Sequence, residues 1–307
     1  MKVAVIGAGL MGHGIALTCA RAGHPVAVQD PSSQMRDSLA SRIAASAALL
    51  GLGDADITGC LDRIATHAAL EEAVSDADIV FEAAPEKLEL KKAIFTELEV
   101  HAPKDAILAS NTSVIQIAKI VEHLDRRDRA LGTHWWNPPH LIPLVEVVKT
   151  EWTDPAKAEV TFKLLKDCEK TPVMVEKDIP GFIGNRLQHA LWREAISLVE
   201  NGVCTAEAVD DVVKSSFGRR LAVLGPLENA DLVGIELTQD IHRQVLFDLE
   251  ASPDPSPYLQ KLRDDDRNGM ASGAGFRDWA PGDLEATKTR ISSHLTGLET
   301  LLAKADP

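Results

Sequence analysis

Short apolar runs alternate with stretches of helical spacing through the first half of the chain. The apolar runs lie at 2–6, 25–29, 78–83 and 106–109. The stretches with apolar residues at helical spacing lie at 34–50, 56–64, 87–100 and 114–121. Near-continuous apolar runs of this length are typical of strands buried on both faces of a parallel sheet. Because strands and helices alternate, the pattern predicts an α/β fold with a doubly wound parallel sheet.

A change of pattern divides the second half of the chain. Apolar runs at 130–133 and 144–148 flank a proline-rich segment, which predicts strand, loop and strand because proline continues neither a ladder nor a helix. A last strand at 173–175 precedes the break at Pro180-Gly181. Helical spacing then covers 185–202, 205–217, 227–249 and 283–304. We therefore predict one domain over 1–180 and an all-helical domain over 181–307.

A glycine-rich turn follows the first strand. Residues 7–12, GAGLMG, fit the GxGxxG pattern and open a helix of small and apolar residues. Gly7 would allow the tight turn, Gly9 would let a pyrophosphate approach the backbone, and Gly12 would let helix and strand pack closely. The helix N-terminus would face the phosphates. Asp30 ends the second strand, where it can accept hydrogen bonds from ribose hydroxyls, and no arginine is adjacent in sequence. The pattern predicts a Rossmann-type domain that binds NAD rather than NADP.

Three side chains in or next to the predicted strands are candidates for chemistry. If the strands at 130–133 and 144–148 lie side by side, His134 and Glu146 can meet, and the carboxylate would leave one ring nitrogen free to accept a proton. The alternative is a histidine packed beside aromatic residues and a glutamate exposed on an edge strand. Ser113 follows the strand at 106–109, where ligands bind in such sheets. It is either a substrate contact or a helix N-cap.

Charge and cysteine usage exclude several classes of protein. The 307-residue chain carries a formal net charge of −14, whereas nucleic acids and anionic membranes attract basic surfaces. No apolar run reaches membrane-spanning length, and the start of the chain does not read as a signal peptide. We expect a cytoplasmic protein without a metal site, because the cysteines are far apart and match no ligand spacing. They are Cys19, Cys60, Cys168 and Cys204.

Five segments, in order and spacing, resemble the 3-hydroxyacyl-CoA dehydrogenase superfamily over nearly the whole chain. They are GAGLMGHGIA with Asp30, EAAPEKLELKKAIF, ASNTSVIQI, GTHWWNPPHLIPLVEV and PGFIGNR. The resemblance implies that His134 is the general base, that Glu146 orients it, and that Ser113 and Asn185 contact the substrate. It also implies a homodimer formed through the helical domain. The expected cofactor contacts are Gly7, Gly9, Leu10, Met11, Gly12, Asp30, Glu86, Lys91 and Asn111.

One segment departs from the CoA-specific members. Residues 218–227, GRRLAVLGPL, carry Arg219 and Arg220 and resemble the gulonate, carnitine and pyridoxal-derived-acid dehydrogenases, whose substrates lack CoA. A guanidinium can pair with a free carboxylate, so Arg220 is a predicted substrate contact; alternatively it satisfies helix-end carbonyls. Trp135 and Trp136 either fill a core or contact substrate. The favoured function is NAD-dependent oxidation of a 3-hydroxy carboxylate; the alternatives are a 3-hydroxyacyl-CoA, an aldehyde of an aromatic acid, or NAD binding without turnover.

Overall fold

An eight-stranded sheet forms the centre of the computed structural model, which describes residues 1–302. The strand order is β3-β2-β1-β4-β5-β6-β7-β8. Neighbouring strands are parallel except for the antiparallel pair β6 and β7. The strands are β1 (Val3–Ile6), β2 (Val26–Gln29), β3 (Ile64–His67), β4 (Ile79–Glu82), β5 (Ile107–Ser110), β6 (Ala130–Trp135), β7 (Leu144–Val148) and β8 (Thr171–Val175).

Fourteen α-helices accompany the sheet within residues 1–302. Those that precede β8 are α1 (Gly12–Arg21), α2 (Ser33–Asp37), α3 (Leu39–Leu49), α4 (Asp54–Leu61), α5 (Leu70–Val74), α6 (Leu88–His101), α7 (Ile117–Val121) and α8 (Pro155–Asp167). Those that follow it are α9 (Gly184–Glu200), α10 (Ala206–Ser215), α11 (Pro226–Val233), α12 (Ile235–Val245), α13 (Pro257–Asp264) and α14 (Asp283–Leu302). None of these helices is long and apolar enough to cross a membrane.

The chain forms two compact units. The first contains Met1–Arg186 and the chain from Ile291, and the second contains Leu187–Arg290. Alternate residues of the strands in the first unit enter two apolar clusters, one on each face of the sheet. Helices cover both faces, so the predicted doubly wound fold is confirmed. The predicted domain division after residue 180 stays a prediction.

Strand β3 and helix α8 are among the elements that were not predicted from the sequence. Strand β3 pairs only with β2 at the edge of the sheet, and its residues are half-buried or exposed. It therefore lacks the continuous apolar run by which the inner strands were predicted. Helix α8 begins at Pro155, and the side chain of Asp154 accepts a hydrogen bond from the Ala156 N–H. An Asp-Pro pair is a recognisable signal for the start of a helix, and it marks the start of α8.

Local breaks also divide two predicted helices. The helix predicted over 34–50 is interrupted at Ser38, between α2 and α3. The helix predicted over 227–249 is interrupted at Gly234, whose φ of +102° is a conformation that L side chains rarely adopt. Apolar periodicity continues across both breaks, so periodicity alone did not reveal them.

Candidate active site

The antiparallel pairing of β6 and β7 places His134 directly opposite Glu146. Directly paired residues project from the same face of a sheet, so the two side chains meet. His134 Nδ1 lies 2.7 Å from Glu146 Oε2. Only 4% of His134 and 1% of Glu146 is exposed. The alternative of a glutamate exposed on an edge strand is wrong, because β8 covers the other edge of β7.

The second carboxylate oxygen of Glu146 is held by the chain that begins α9. Glu146 Oε1 accepts hydrogen bonds from the backbone N–H groups of Ile183, at 2.8 Å, and Gly184, at 3.0 Å. Burial by itself would raise the pKa of the Glu146 carboxyl, but the hydrogen bonds from His134, Gly184 and Ile183 outweigh it and lower that pKa. A charged carboxylate on Nδ1 favours the tautomer that leaves Nε2 free as an acceptor.

A second pair of predicted residues, Ser113 and Asn185, is also brought together. Asn185 Nδ2 donates to the carbonyl oxygen of Ser113 over 2.8 Å. Glu86 Oε1 accepts from the Thr112 hydroxyl at 2.6 Å, the Ser113 N–H at 2.9 Å and the Val114 N–H at 3.1 Å. Helix α7 begins only at Ile117, so Ser113 does not cap it. The loop that carries Ser113 is thus fixed through its backbone, and the side chain of Ser113 is exposed.

A buried ion pair supports the turn that carries Glu86. Lys91 Nζ lies 2.8 Å and 3.0 Å from the two carboxylate oxygens of Glu82 and 3.2 Å from the carbonyl oxygen of Ala84. The Ser110 hydroxyl donates to Glu82 over 2.6 Å, and Glu82, Lys91 and Ser110 are fully buried. Glu82 was not predicted from the sequence, although an acidic residue that ends an apolar strand was the available signal. The cofactor contact predicted for Lys91 stays a prediction; the structure shows that Lys91 holds residues 82–84.

Another predicted cofactor residue joins β5 to β6. Asn111 is mostly buried, and its side-chain oxygen accepts a hydrogen bond from the Trp135 N–H over 2.9 Å. Trp135 itself is buried among the core residues of the first unit and meets Phe81 edge-on, with 5.7 Å between ring centroids. Trp135 therefore has a packing role. Trp136, in contrast, lies beside the ring of His134.

The glycine-rich turn has the geometry that a dinucleotide requires. Gly7 has a φ of +101°, and a Cβ at Gly12 would overlap the carbonyl oxygen of Gly7. A Cβ at Gly9 would meet nothing within 4 Å, so this position faces open space. The backbone N–H groups of Gly9, Leu10 and Met11 have no acceptor within residues 1–302. Unsatisfied donors at the start of α1 fit a pyrophosphate.

The carboxylate of Asp30 and two arginines shape the neighbouring part of this turn. Asp30 accepts hydrogen bonds from the N–H groups of Ala8, at 2.8 Å, and Ser32, at 2.9 Å. Arg36, from α2, donates to the carbonyl oxygen of Asp30 over 2.6 Å. Arg42, from α3, donates to the carbonyl oxygen of Ala8 over 2.6 Å. Neither arginine was predicted from the sequence, because both lie on helices that follow β2 and contact residues 8 and 30 only in the folded chain.

The predicted substrate arginine lies in the second unit. Arg220 directly follows a short 3₁₀ helix, Phe217–Arg219, and both Arg219 and Arg220 are exposed. Within residues 1–302, neither guanidinium makes a hydrogen bond or an ion pair. Arg220 therefore does not satisfy helix-end carbonyls, as the alternative required. The same residues contain no group of His, Cys, Asp and Glu arranged to hold a metal ion.

Comparison with known proteins assigns the chain to a family. Residues 2–179 match the model of the 3-hydroxyacyl-CoA dehydrogenase NAD-binding domain, and residues 181–279 match that of the C-terminal domain. The chain belongs to the 3-hydroxyacyl-CoA dehydrogenase family. It is therefore an NAD-dependent dehydrogenase that acts on a CH–OH group, as the resemblance of the sequence predicted.

Relatives of this dehydrogenase act on different substrates. It is 32% identical over 302 residues to 5-formyl-3-hydroxy-2-methylpyridine 4-carboxylate 5-dehydrogenase of Mesorhizobium japonicum, with 98% of each chain covered. It is 38% identical over 236 residues to L-carnitine dehydrogenase of Streptomyces griseus, with 76% of this chain and 70% of that one covered. A crystal structure of the pyridine-carboxylate enzyme, described as an NAD⁺-dependent dismutase, matches 98% of each chain at 32% identity with a TM-score of 0.91.

Proposed function

We propose that this dehydrogenase interconverts a small 3-hydroxy carboxylate, free of CoA, with the corresponding 3-oxo acid. The observation that carries the proposal is the buried hydrogen bond of 2.7 Å between His134 and Glu146. Oxidation of an alcohol requires a base for the hydroxyl proton while hydride leaves the same carbon. An imidazole held by a carboxylate at one nitrogen supplies such a base at the other.

Each predicted catalytic residue has a role in this reaction. His134 Nε2 accepts the hydroxyl proton, and Glu146 stabilises the imidazolium that forms. Ser113 and Asn185 hold the substrate oxygen as its charge changes, an arrangement supported by the hydrogen bond that joins their two segments. A bound NAD would supply the acceptor for the hydride that leaves the substrate carbon. In the reverse direction His134 returns the proton to the carbonyl oxygen.

Residues at the carboxyl ends of the strands would hold the cofactor. The N–H groups of Gly9, Leu10 and Met11 would bind the pyrophosphate, since they lack acceptors within residues 1–302. Asp30 would accept hydrogen bonds from the adenosine ribose. Glu86 and Asn111 would also contact the cofactor, and Lys91 would support the turn through its bonds to Glu82 and Ala84.

Arg219 and Arg220 support the proposal that the substrate carries a free carboxylate. Both guanidiniums are exposed and have no partner within residues 1–302. An unpaired guanidinium can bind a carboxylate with two parallel hydrogen bonds. Two of the relatives act on carnitine and on a pyridine carboxylate, and both of these molecules carry a free carboxylate.

A second candidate function is oxidation of an aldehyde that carries an aromatic acid. The observation that favours it is the structural match to the pyridine-carboxylate dehydrogenase, with a TM-score of 0.91, whereas the match to 3-hydroxybutyryl-CoA dehydrogenase of Escherichia coli has a TM-score of 0.76. A hydrated aldehyde has a hydroxyl group and a hydrogen on the same carbon. His134 would therefore remove the proton in the same way, and loss of hydride would give the carboxylic acid.

A parallel assay separates these substrates. Purified protein with NAD is given a free 3-hydroxy acid, the matching 3-hydroxyacyl-CoA thioester or an aromatic aldehyde acid, and NADH formation is followed. We expect turnover of a free acid that falls at least tenfold in kcat/KM in Arg220→Ala, because a bidentate charged contact contributes roughly 1.5–3 kcal/mol. Turnover of the thioester alone would contradict the proposal. NAD affinity without turnover of any substrate would identify a binding protein.

We also propose that the protein is a cytoplasmic homodimer formed through the second unit. Helices α10, α11 and α12 contain no buried residue, and their exposed apolar side chains include Leu227 (79% exposed), Leu232 (75%) and Ile235 (66%). The second unit also contains an open, mostly apolar cavity of about 770 Å³. Exposed apolar surface of this extent is typical of an interface. A cytoplasmic location is supported by four free cysteines.

A further inference from the structure

The imidazole of His134 lies between two aromatic rings. The ring centroid of Trp136 is 5.2 Å from that of His134, and the centroid of Phe182 is 5.7 Å from it, with both rings tilted by 51°. These distances are within the range of favourable aromatic pairs, and also within the range in which a ring face attracts a cation. Trp136 follows β6, whereas Phe182 precedes α9, so the two rings reach the imidazole from different parts of the chain.

Phe182 is held in an unfavourable backbone conformation. Its φ is +50°, in the left-handed region that bulky residues rarely adopt, and its side chain is fully buried. Such conformations persist where the surroundings fix them, and they occur preferentially at functional sites. The next two residues, Ile183 and Gly184, donate their N–H groups to Glu146. One short segment therefore supports both the imidazole and the carboxylate.

The position of Trp136 depends on Gly184. A Cβ built on Gly184 would overlap atom Cζ2 in the six-membered ring of Trp136, so the indole packs directly on the backbone of this glycine. A residue with a side chain at position 184 would displace the indole or the segment that holds Glu146. A large ring at 136 and glycine at 184 are thus matched in size.

We propose that Trp136 and Phe182 are positioning residues of the His134–Glu146 pair, and that Gly184 is required because Trp136 packs on it. The two rings fix the plane of the imidazole, and their π faces stabilise its protonated form. Glu146 is the charged group hydrogen-bonded to the imidazole within residues 1–302, so the rings add to the effect of that carboxylate. The proposal rests on the proposed function, in which His134 accepts a proton.

The first experiment measures how each ring affects protonation of His134. The variants are Trp136→Leu, Phe182→Leu and the conservative Trp136→Phe, with Trp152→Leu as the matched control, since the Trp152 ring contacts Arg127. The readouts are the acid limb of the kcat/KM profile against pH and the NMR titration of labelled histidine in the NAD-bound protein. The NMR titration needs no turnover, so it tests this proposal even if the proposed substrates fail.

The direction in which the protonation midpoint of His134 moves in the variants decides between the explanations. Loss of a π face makes the imidazolium less stable, so the midpoint should move to lower pH by roughly half a unit in both leucine variants. Trp136→Phe and the control should retain the midpoint of the unaltered protein. An unchanged midpoint with reduced kcat would mean that the rings only pack. A midpoint at higher pH would mean that they act by excluding water. Either outcome would overturn the proposal.

The second experiment tests the size match directly. Gly184→Ala should lower kcat by about tenfold or more, because small displacements at an active site have large effects on rate. Trp136→Phe in the same chain should restore kcat to within about threefold of Trp136→Phe alone, since residues in contact are not additive. Alanine favours a helix more than glycine does, so global unfolding is not expected. Additive losses in the double variant would show that Gly184 and Trp136 act independently.

Discussion

The strand pair β6–β7 in the first unit and the helices α10–α12 in the second unit differ in how completely their side chains are buried. His134 in β6 and Glu146 in β7 are almost fully buried. In α10, α11 and α12 no residue is buried, and apolar side chains such as Leu237 and Ile241 are about half exposed. The pair of His134 and Glu146 is complete within one chain, whereas no part of residues 1–302 fully covers the apolar faces of these helices.

All eleven residues of β6 and β7 are paired with a neighbouring strand, and all of them except Leu144 are buried. This is the property that fixes the dyad: a shift of one residue in register would turn either side chain to the other face of the sheet.

The contrast shows which parts of the function one chain can hold by itself. Strand register determines the contact between His134 and Glu146, so the proposed proton transfer is expected not to depend on assembly. Arg220 lies in the unit whose helices have uncovered apolar faces, so carboxylate recognition is expected to depend on how those faces are covered. Four experiments follow from this division, from the largest expected effect to the smallest.

Removal of the proposed base should have the largest effect. His134→Ala should lower kcat by roughly 10²- to 10⁴-fold, the usual contribution of a general base, while NAD affinity stays unchanged. Stopped-flow NADH formation and NAD titration measure the two quantities. His123→Ala, on an exposed histidine of the same unit, is the control. A variant that kept most of its activity with NAD binding intact would rule out His134 as the base.

Loss of the carboxylate at position 146 should have a slightly smaller effect. Glu146→Gln keeps the shape of the side chain but removes the charge that stabilises the imidazolium, so kcat should fall by about 10²-fold or more. The amide can still accept from the N–H groups of Ile183 and Gly184, so the melting temperature should change little. Rates within threefold of the unaltered protein would show that Glu146 does not orient His134.

Charge on the apolar face of α12 should separate the chains without unfolding them. Leu237 and Ile241 are one helical turn apart and 53% and 49% exposed. Leu237→Asp combined with Ile241→Asp should weaken dimerisation by about 100-fold or more, because apolar anchors at an interface often contribute about 2 kcal/mol each. Sedimentation at several concentrations measures this, with the polar neighbour change Gln239→Asp as control. An unchanged dimer would place the interface elsewhere.

Acid should destabilise the first unit through His140, in the loop between β6 and β7. Burial, followed by the nearby His13 and Lys170, lowers the pKa of His140 from 6.5 to about 4. A histidine kept neutral in the folded state contributes stability above pH 6.5. That contribution is lost as the pH falls from 6.5 to about 4. His140→Gln should reduce this acid loss in the free energy of unfolding by about 1–3 kcal/mol, measured by urea unfolding at each pH. Identical pH dependence in both proteins would contradict the assignment.

The sequence predicted the parts of the molecule that depend on local pattern. The GxGxxG turn and the inner strands follow from apolar runs and spacing. The contact of His134 with Glu146 was one of two alternatives that the pattern left open, and the family resemblance favoured it. The exposed edge strand β3 has no continuous apolar run, and α8 was not predicted from apolar spacing. The donors to Glu146 from Ile183 and Gly184 lie 37 and 38 residues further along the chain, and only the folded chain brings them together. The same holds for Arg42 at the glycine-rich turn.

Two adjacent lysines of α6 differ in a way that chemical labelling can use. Lys91 is fully buried in its pair with Glu82, whereas the side chain of Lys92 is 27% exposed. An amine-acylating reagent should therefore modify Lys92 in the native protein and reach Lys91 only when the strand-end turn opens. Both residues fall in one short peptide, so a mass spectrum gives the ratio of the two labels. With Lys92 as the internal standard, this ratio would report the opening rate of the strand-end turn.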